Sequence, residues 1–219
     1  MGDGGPFATD AEPFIKDIRM NVAILIFPGI EVLDFSGPFE VFSIAARVAL
    51  RDKDSTSPLF NAFLVAETSN VVPARYAFRV QPHYTFDDHP RIDLLVVPGG
   101  VIDQPLESLK TLEWISREAR RSDMVASVCT GAFLLAKTGI LDGLKATTHW
   151  EDVEDLKKQY PRIDVIEDQI FVDQGRVITS AGISAGIDMS LHLVRRLYGA
   201  SLAQRAARQM VYSWRSTSV

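Results

Sequence analysis

The 219-residue chain has very little cysteine, no excess of basic residues and no long apolar run. Its single cysteine, Cys129, excludes an internal disulfide and is typical of a protein in a reducing compartment. The 23 basic residues are outnumbered by 28 acidic ones, so the charge does not favour binding to nucleic acid or to an anionic membrane. No apolar run approaches the roughly 20 residues of a membrane-spanning helix. We therefore expect a cytoplasmic protein that binds neither nucleic acid nor membrane.

The first residues mix glycine, proline and acidic side chains, and they lack the apolar core of a signal peptide. We expect residues 1–19 to form a flexible N-terminal arm and residues 20–219 to form a single domain. The sequence contains no Cys/His cluster of the kind that binds a metal, and no glycine-rich motif with dinucleotide-binding spacing. Neither a metal nor an organic cofactor is predicted.

Apolar runs that fit buried strands alternate with amphipathic segments that fit helices. Continuous apolar runs, typical of strands buried on both faces of a parallel sheet, end at Phe27, Val97 and Val128. Helices are predicted from Gly37-Pro38 onward and over residues 107–121, 183–198 and 201–214, the last one capped by Ser201. Residues 71–86 suit short hairpin strands. This alternation predicts an α/β fold with a mostly parallel sheet.

The only cysteine lies where a predicted strand, Met124 to Val128, turns into a predicted helix that begins near Gly131 and stops at Gly139. This pattern predicts a nucleophile elbow with cysteine in place of serine, and the small residue Gly131 leaves room for a substrate. The helix N-terminus would favour the thiolate form of Cys129. The alternative is a buried cysteine that only packs in the core.

Two other loops should reach the same edge of the sheet, because ligands of open α/β sheets bind at the carboxyl ends of the strands. Gly99 and Gly100 follow the strand that ends at Val97, and their backbone N–H groups would bind a developing negative charge. Asp34 follows the first strand and would exchange a proton with the thiol. The alternatives are a tight turn at the two glycines and an Asp34 that only satisfies backbone donors near Pro38.

The four histidines point to the site less clearly. His149 follows a short predicted strand and would act as a base or orienting group near Cys129, or as a structural residue. The other three, His83, His89 and His192, are predicted to be structural.

Several ordered motifs together resemble one family. They are Asp93-Leu-Leu-Val-Val-Pro-Gly-Gly100, Ser127-Val-Cys-Thr-Gly131, Gly139-Ile-Leu-Asp-Gly143, Ala146-Thr-Thr-His-Trp150 and Ala181-Gly-Ile-Ser-Ala-Gly-Ile-Asp188. In order and spacing they resemble the DJ-1/PfpI (ThiJ) superfamily, and the segment Leu33-Asp-Phe-Ser-Gly-Pro38 resembles its isonitrile hydratase branch. The resemblance implies a flavodoxin-like, class I glutamine amidotransferase-like sandwich and a homodimer.

The same resemblance implies a lyase without a metal or organic cofactor. Cys129 would attack the carbon of a small-molecule isonitrile to form a thioimidate, which water converts to an N-substituted formamide. Asp34 would be the general acid and base, and Thr130 would tune the site by hydrogen bonding. Gly99, Gly100, Gly131 and His149 would line the substrate or oxyanion site.

Two other functions remain open. The Ser-Val-Cys-Thr-Gly and Ala-Thr-Thr-His-Trp motifs also resemble the sensor domains of AraC-type regulators, although the negative charge and the chain end at Val219 disfavour DNA binding. A DJ-1-like redox-sensing or glyoxalase-type protein is the other alternative. Thr130 stands where protease-like branches commonly have histidine, and Asp34 stands where the DJ-1 branch has glutamate.

Overall fold

The computed structural model describes residues 19–215. The main feature of these residues is a seven-stranded sheet, and two separate pairs of short strands lie outside it. In chain order the strands are β1 (Met20–Leu25), β2 (Phe60–Ala66), β3 (Val72–Pro73), β4 (Arg79–Val80), β5 (Tyr84–Thr85), β6 (Leu94–Val97), β7 (Met124–Val128), β8 (Lys145–Ala146), β9 (Asp164–Val165), β10 (Phe171–Gln174) and β11 (Val177–Ser180).

The order in the large sheet is β10-β11-β7-β6-β1-β2-β5, and every pair in it is parallel except β10 with β11. The central strands β6 and β7 are buried at every position, as their continuous apolar sequence predicts. The predicted α/β fold with a mostly parallel sheet is confirmed. The β10–β11 hairpin turns at Gly175, which has φ 78°, a value that glycine adopts at no steric cost.

Seven α-helices are described within residues 19–215: α1 (Val32–Arg51), α2 (Asp103–Glu107), α3 (Leu109–Arg121), α4 (Gly131–Lys137), α5 (Val153–Gln159), α6 (Ala185–Tyr198) and α7 (Ala200–Gln209). Two short 3₁₀ helices span Arg75–Ala77 and Trp150–Asp152. They pack in two main groups, with α1, α6 and α7 in contact with one another and α4 in contact with both α2 and α3. None of the helices in residues 19–215 is long and apolar enough to cross a membrane.

The start of α1 differs from the prediction. The helix begins at Val32 rather than at Gly37-Pro38, so Asp34 lies in its first turn and not in a loop. Pro38 lies inside the helix, where it lacks the N–H that would otherwise bond to the carbonyl of Asp34. The proline suggests a helix start, but tertiary packing carries the helix past it, since Gly37 packs closely against Ile187 of α6.

Three further helix boundaries differ as well. The helix predicted over 107–121 is α3, which begins two residues later than predicted because the Ser108 hydroxyl caps it by accepting a hydrogen bond from the Thr111 N–H at 3.2 Å. The short helix α2 before it was not predicted. The last helix ends at Gln209, not at Trp214, and its N-cap is Gly199 rather than Ser201. Helix α6 begins at Ala185, two residues after the predicted position.

Residues beyond α7 fold back onto α6. Arg215 and Tyr212 donate hydrogen bonds to the fully buried carboxylate of Asp188, at 2.6 and 3.0 Å. This buried acceptor explains why the segment leaves the helical path.

Of the predicted hairpin strands, β3 and β4 form an antiparallel pair, while β5 joins the main sheet beside β2. The predicted flexible arm lies outside the described residues except for Arg19, and the single-domain boundary stays a prediction.

Candidate active site

Four segments of the chain meet at the carboxyl ends of the central strands. They follow β1, β6, β7 and β11, and they bring Asp34, Gly99, Cys129 and Gly182 together. Because neighbouring parallel strands end at the same edge of the sheet, residues far apart in the sequence become neighbours here.

The backbone of Cys129 has the left-handed conformation expected at a nucleophile elbow, with φ 57°. Its N–H donates to the Ser180 carbonyl at 3.0 Å, and its carbonyl accepts from the Thr148 hydroxyl at 2.9 Å. These bonds to β11 and to the loop after β8 hold the strained residue in place. The side chain is buried, and the residue is 8% exposed.

Glycines enclose the cysteine because no side chain fits beside it. A Cβ atom at Gly182 would lie 2.3 Å from Cys129 Cβ, and one at Gly99 would lie 2.5 Å from Thr130 Oγ1. At Gly131 a Cβ atom would lie 2.0 Å from the Val97 carbonyl oxygen, so this glycine lets α4 start against β6. Gly182 escaped the sequence analysis, although it belongs to a recognised motif.

Asp34 is fully buried, and its Oδ2 accepts a hydrogen bond from the Gly99 N–H at 3.1 Å. Burial raises the pKa of its carboxyl to about 7, against the opposing effects of the Gly99 bond and a hydrogen bond from the Cys129 thiol. The charge of Glu31 raises the pKa of Asp34 further, and that of Arg75 lowers it. The second oxygen, Oδ1, has no well-aligned partner within residues 19–215.

Burial and the charge of Asp34 raise the pKa of the Cys129 thiol to about 12. The N–H and the hydroxyl of Thr130 act in the opposite direction but are weaker. The prediction of a thiolate favoured by the helix N-terminus is therefore wrong for this resting site. A helix terminus contributes roughly 1 kcal/mol, which is less than the free energy of removing a thiolate from water beside a carboxylate.

The N–H groups of Gly99 and Gly100 are already engaged. Gly99 donates to Asp34, while Gly100 donates to Thr130 Oγ1 at 2.9 Å and accepts from the same hydroxyl at 3.1 Å. In this structure the two glycines fix the acid and the threonine of the site. The backbone N–H of Thr130, and more weakly its hydroxyl, favour negative charge on the sulfur.

The model of the DJ-1/PfpI family matches residues 20–196. The chain belongs to this family. It is 34% identical to isonitrile hydratase from Pseudomonas putida over 197 residues, which cover 90% of this chain and 80% of the relative. A crystal structure of a ThiJ/PfpI family protein from Pseudomonas syringae has a TM-score of 0.78 at 28% identity, over 97% of this chain and 82% of that one.

Regulators are also among the relatives of this DJ-1/PfpI protein. The transcriptional regulator GbdR of Pseudomonas aeruginosa is 25% identical over 192 residues, or 88% of this chain. The chain spans only half of the length of that regulator. The comparisons thus relate this family member both to an enzyme and to regulators.

His149 lies near carboxylates instead of near the thiol in this DJ-1/PfpI site. Its Nδ1 is 3.6 Å from Glu151 Oε2 and from Asp152 Oδ2, and no hydrogen bond or ion pair joins it to Cys129 within the described range. Asp152, which the sequence analysis did not single out, acts on the site directly because its charge raises the pKa of Cys129. Only the fold brings this carboxylate close to the elbow.

The other charged residues near Asp34 also escaped the sequence analysis. Glu31 and Arg75 form an ion pair at 3.2 Å beside the first turn of α1, and both act on the pKa of Asp34.

The remaining histidines have structural partners: His83 accepts from the Leu64 N–H at 3.0 Å, His89 accepts from the Trp114 indole at 3.1 Å, and His192 contacts Asp173 at 2.7 Å. Residues 19–215 hold no group of three or more His, Cys, Asp or Glu side chains that could bind a metal.

Proposed function

We propose that this protein hydrates an isonitrile to an N-substituted formamide through a thioimidate on Cys129. The single observation that carries the proposal is the pairing of two buried groups, the Cys129 thiol and the Asp34 carboxyl, whose raised pKa values are about 12 and about 7. A carboxylate that titrates near neutrality beside an un-ionised thiol is suited to accept the thiol proton during attack and to return it later. The similarity to isonitrile hydratase supports the same reaction.

In the first step the sulfur attacks the terminal carbon of the isonitrile while Asp34 accepts the thiol proton. Asp34 then delivers this proton to the same carbon, which gives the thioimidate with a new C–S bond and a new C–H bond. The Thr130 N–H is positioned to stabilise negative charge on the sulfur while the proton is in transfer.

In the second step a water molecule adds to the thioimidate carbon. The Asp34 carboxylate accepts one proton of the water and passes it to the nitrogen, which gives a tetrahedral adduct with an N–H and a hydroxyl group. The C–S bond then breaks as the C=O bond forms, and Asp34 carries the hydroxyl proton to the sulfur, so that the formamide leaves and the thiol is restored. The net change is the addition of one water molecule to the isonitrile.

The test is to incubate the purified protein with an aromatic isonitrile and to follow formamide production. We expect turnover by the wild type, none by Cys129→Ala, and a loss of at least about a hundredfold in kcat for Asp34→Asn, the size of an acid–base contribution. Asp123→Asn is a matched control, because Asp123 is an exposed carboxylate that only faces Arg91 at 3.6 Å. Turnover that survives in both site variants would overturn the mechanism.

A sensor function is the second candidate, and the similarity to GbdR favours it. It predicts stoichiometric binding of a small molecule at the Cys129 site without turnover. A redox-sensing role is less well supported, because oxidation proceeds through the thiolate and the pKa of Cys129 is raised. The homodimer and the cytoplasmic location stay predictions, which sedimentation and fractionation can test.

A further inference from the structure

A cavity of about 330 Å³ lies beside the segment that joins β1 to α1. Its lining includes Phe27 and Pro28 from that segment, but neither Cys129 nor Asp34. Its volume is at the lower end of the range of small-molecule sites. The cavity is therefore separate from the site to which the proposed function is assigned.

The walls of the cavity are mostly apolar. They come from the carboxyl end of β1, from β3, from the loop after β5 and from α2, and include Leu25, Phe27, Val72, Pro73, Phe86 and Pro105. Five of these residues are buried, namely Leu25, Phe27, Val72, Phe86 and Pro105. Such walls favour a ligand with a hydrophobic body.

One buried polar side chain in this lining lacks a partner. Thr111 in the first turn of α3 is 5% exposed and lines the cavity. Its N–H bonds to the Ser108 cap, whereas its hydroxyl has no hydrogen-bond partner within residues 19–215 but keeps contact with solvent. Because this hydroxyl lines the cavity without a protein partner, it is available to a hydrogen-bonding atom on a ligand.

Charge in the lining is confined to Glu67, whose side chain is 47% exposed. Lys110 lies outside the lining and faces this carboxylate at 3.6 Å. Glu67 disfavours an anionic ligand, and Lys110 offsets the attraction of Glu67 for a cation. A neutral ligand fits this balance best.

We propose that the cavity binds a neutral, mostly apolar small molecule whose one hydrogen-bonding group meets the Thr111 hydroxyl, and that its occupancy is transmitted to Asp34. The proposal goes beyond the hydration of isonitriles and does not depend on it. It assigns this family member a second small-molecule site, which acts as an effector site for the first.

Backbone hydrogen bonds connect the cavity wall to Asp34. The cavity-wall residue Pro73 accepts from the Gly29 N–H at 2.8 Å. Two residues later the Glu31 N–H donates to the Gly99 carbonyl at 2.9 Å, and the Gly99 N–H in turn holds Asp34. A ligand that displaces Phe27, Pro28 or Pro73 therefore shifts the segment that positions Asp34.

The binding test uses three related probes: 3-phenylpropan-1-ol, propylbenzene and 3-phenylpropanoate. Each is titrated into the protein while backbone and indole N–H resonances are recorded by NMR. The indole of Trp114 is a built-in reporter, because its ring stacks on Phe86 of the cavity wall with centroids 4.5 Å apart. We expect saturable shifts around the cavity, tightest for the alcohol and weakest for the carboxylate.

Two variants test the role of the hydroxyl. Thr111→Val should weaken binding of the alcohol about fivefold, the size of one net hydrogen bond, and leave propylbenzene unchanged. Ser116→Ala is the matched control, since Ser116 lies on the same helix outside the cavity lining and should leave both affinities unchanged. The comparison of alcohol with hydrocarbon on the wild type gives the same information if Thr111→Val does not fold.

The transmission is tested by the rate at which iodoacetamide alkylates Cys129, the only cysteine of the chain. A saturating amount of 3-phenylpropan-1-ol should change this rate at least twofold in the wild type. With Thr111→Val the same concentration should have a smaller effect. Neither readout uses isonitrile turnover, so failure of the hydratase assay leaves this test intact.

Four results would count against the proposal. Absence of saturable shifts up to millimolar probe, or shifts confined to the surroundings of Cys129, would overturn the site. Equal affinities for the alcohol and the hydrocarbon would overturn the role of Thr111. An alkylation rate that is unchanged at saturation would overturn the transmission to Asp34.

Discussion

Gly182 approaches Cys129 so closely that a Cβ atom on the glycine would lie 2.3 Å from Cys129 Cβ and 2.9 Å from its sulfur. The glycine also has φ +87°. The loop after β11 thus forms one wall of the elbow with bare backbone. Any side chain at this position would displace the sulfur.

Substitution of Gly182 should therefore destabilise the fold more than the positive φ of this residue alone would. Gly182→Ala should destabilise the fold by about 2 kcal/mol or more, because the strain of positive φ adds to a steric clash. Gly175→Ala is a matched control, since Gly175 has φ +78° but nothing within 4 Å of its Cβ position. It should cost only about 1 kcal/mol in denaturant unfolding. Equal losses in the two variants would show that the contact with Cys129 is unimportant.

Thr130 should matter less than the nucleophile. Its hydroxyl joins the N–H and the carbonyl of Gly100, so Thr130→Val leaves the Gly100 N–H without its partner. We expect kcat/KM for an isonitrile to fall by roughly tenfold, the size of one lost hydrogen bond to a buried donor. Thr130→Ser should retain most of the activity. A loss as complete as that of Cys129→Ala would assign Thr130 a role in the chemistry itself.

The buried carboxyl of Asp34 should make stability depend on pH. Because its pKa is raised in the folded state from 3.8 to about 7, the native protein binds more protons than the unfolded chain between these values. The stabilisation by the protonated form is complete below about pH 4 and is lost as the pH rises through about 7.

Asp34→Asn should remove this dependence. Its free energy of unfolding relative to the wild type should rise between pH 4 and pH 8, by roughly 4 kcal/mol at most. Urea unfolding at several pH values measures the difference. A constant difference across this range would show that the carboxyl is ionised throughout.

The Cys129 thiol should ionise only at high pH. With the pKa of Cys129 raised to about 12, iodoacetamide should react slowly at neutral pH, and the rate should still be rising at pH 10. Asp34→Asn should move the profile to lower pH, because it removes a charge that opposes the thiolate. Asp123→Asn should leave the profile unchanged. An alkylation rate that levels off near pH 7 in the wild type would show that Cys129 is a thiolate there, as the elbow pattern predicts.

The sequence predicts the local features of this site well. The apolar runs identify the central strands, and the position of Cys129 between Val128 and Gly131 identifies the elbow. These features are set by residues close together in the chain. The start of α1 was misjudged because Pro38 is a strong local signal, whereas Gly37 packs against the distant Ile187.

Contacts with distant residues were not predictable in the same way. Nothing adjacent to Gly182 or Asp152 in the sequence indicates that one touches Cys129 and the other acts on its pKa. Similarly, Gly99 and Gly100 were expected to offer free N–H groups, and only the fold shows that Asp34 and Thr130 occupy them.

The sequence by itself determined the order of strands and helices, the place of the cysteine and the family motifs, because these depend on hydrophobic periodicity and on short-range backbone geometry. The tertiary structure decided the raised pKa values of the Cys129–Asp34 pair and the place of the Thr111 hydroxyl in the cavity wall. Both depend on removal from water and on distances between segments far apart in the chain, which no local pattern encodes.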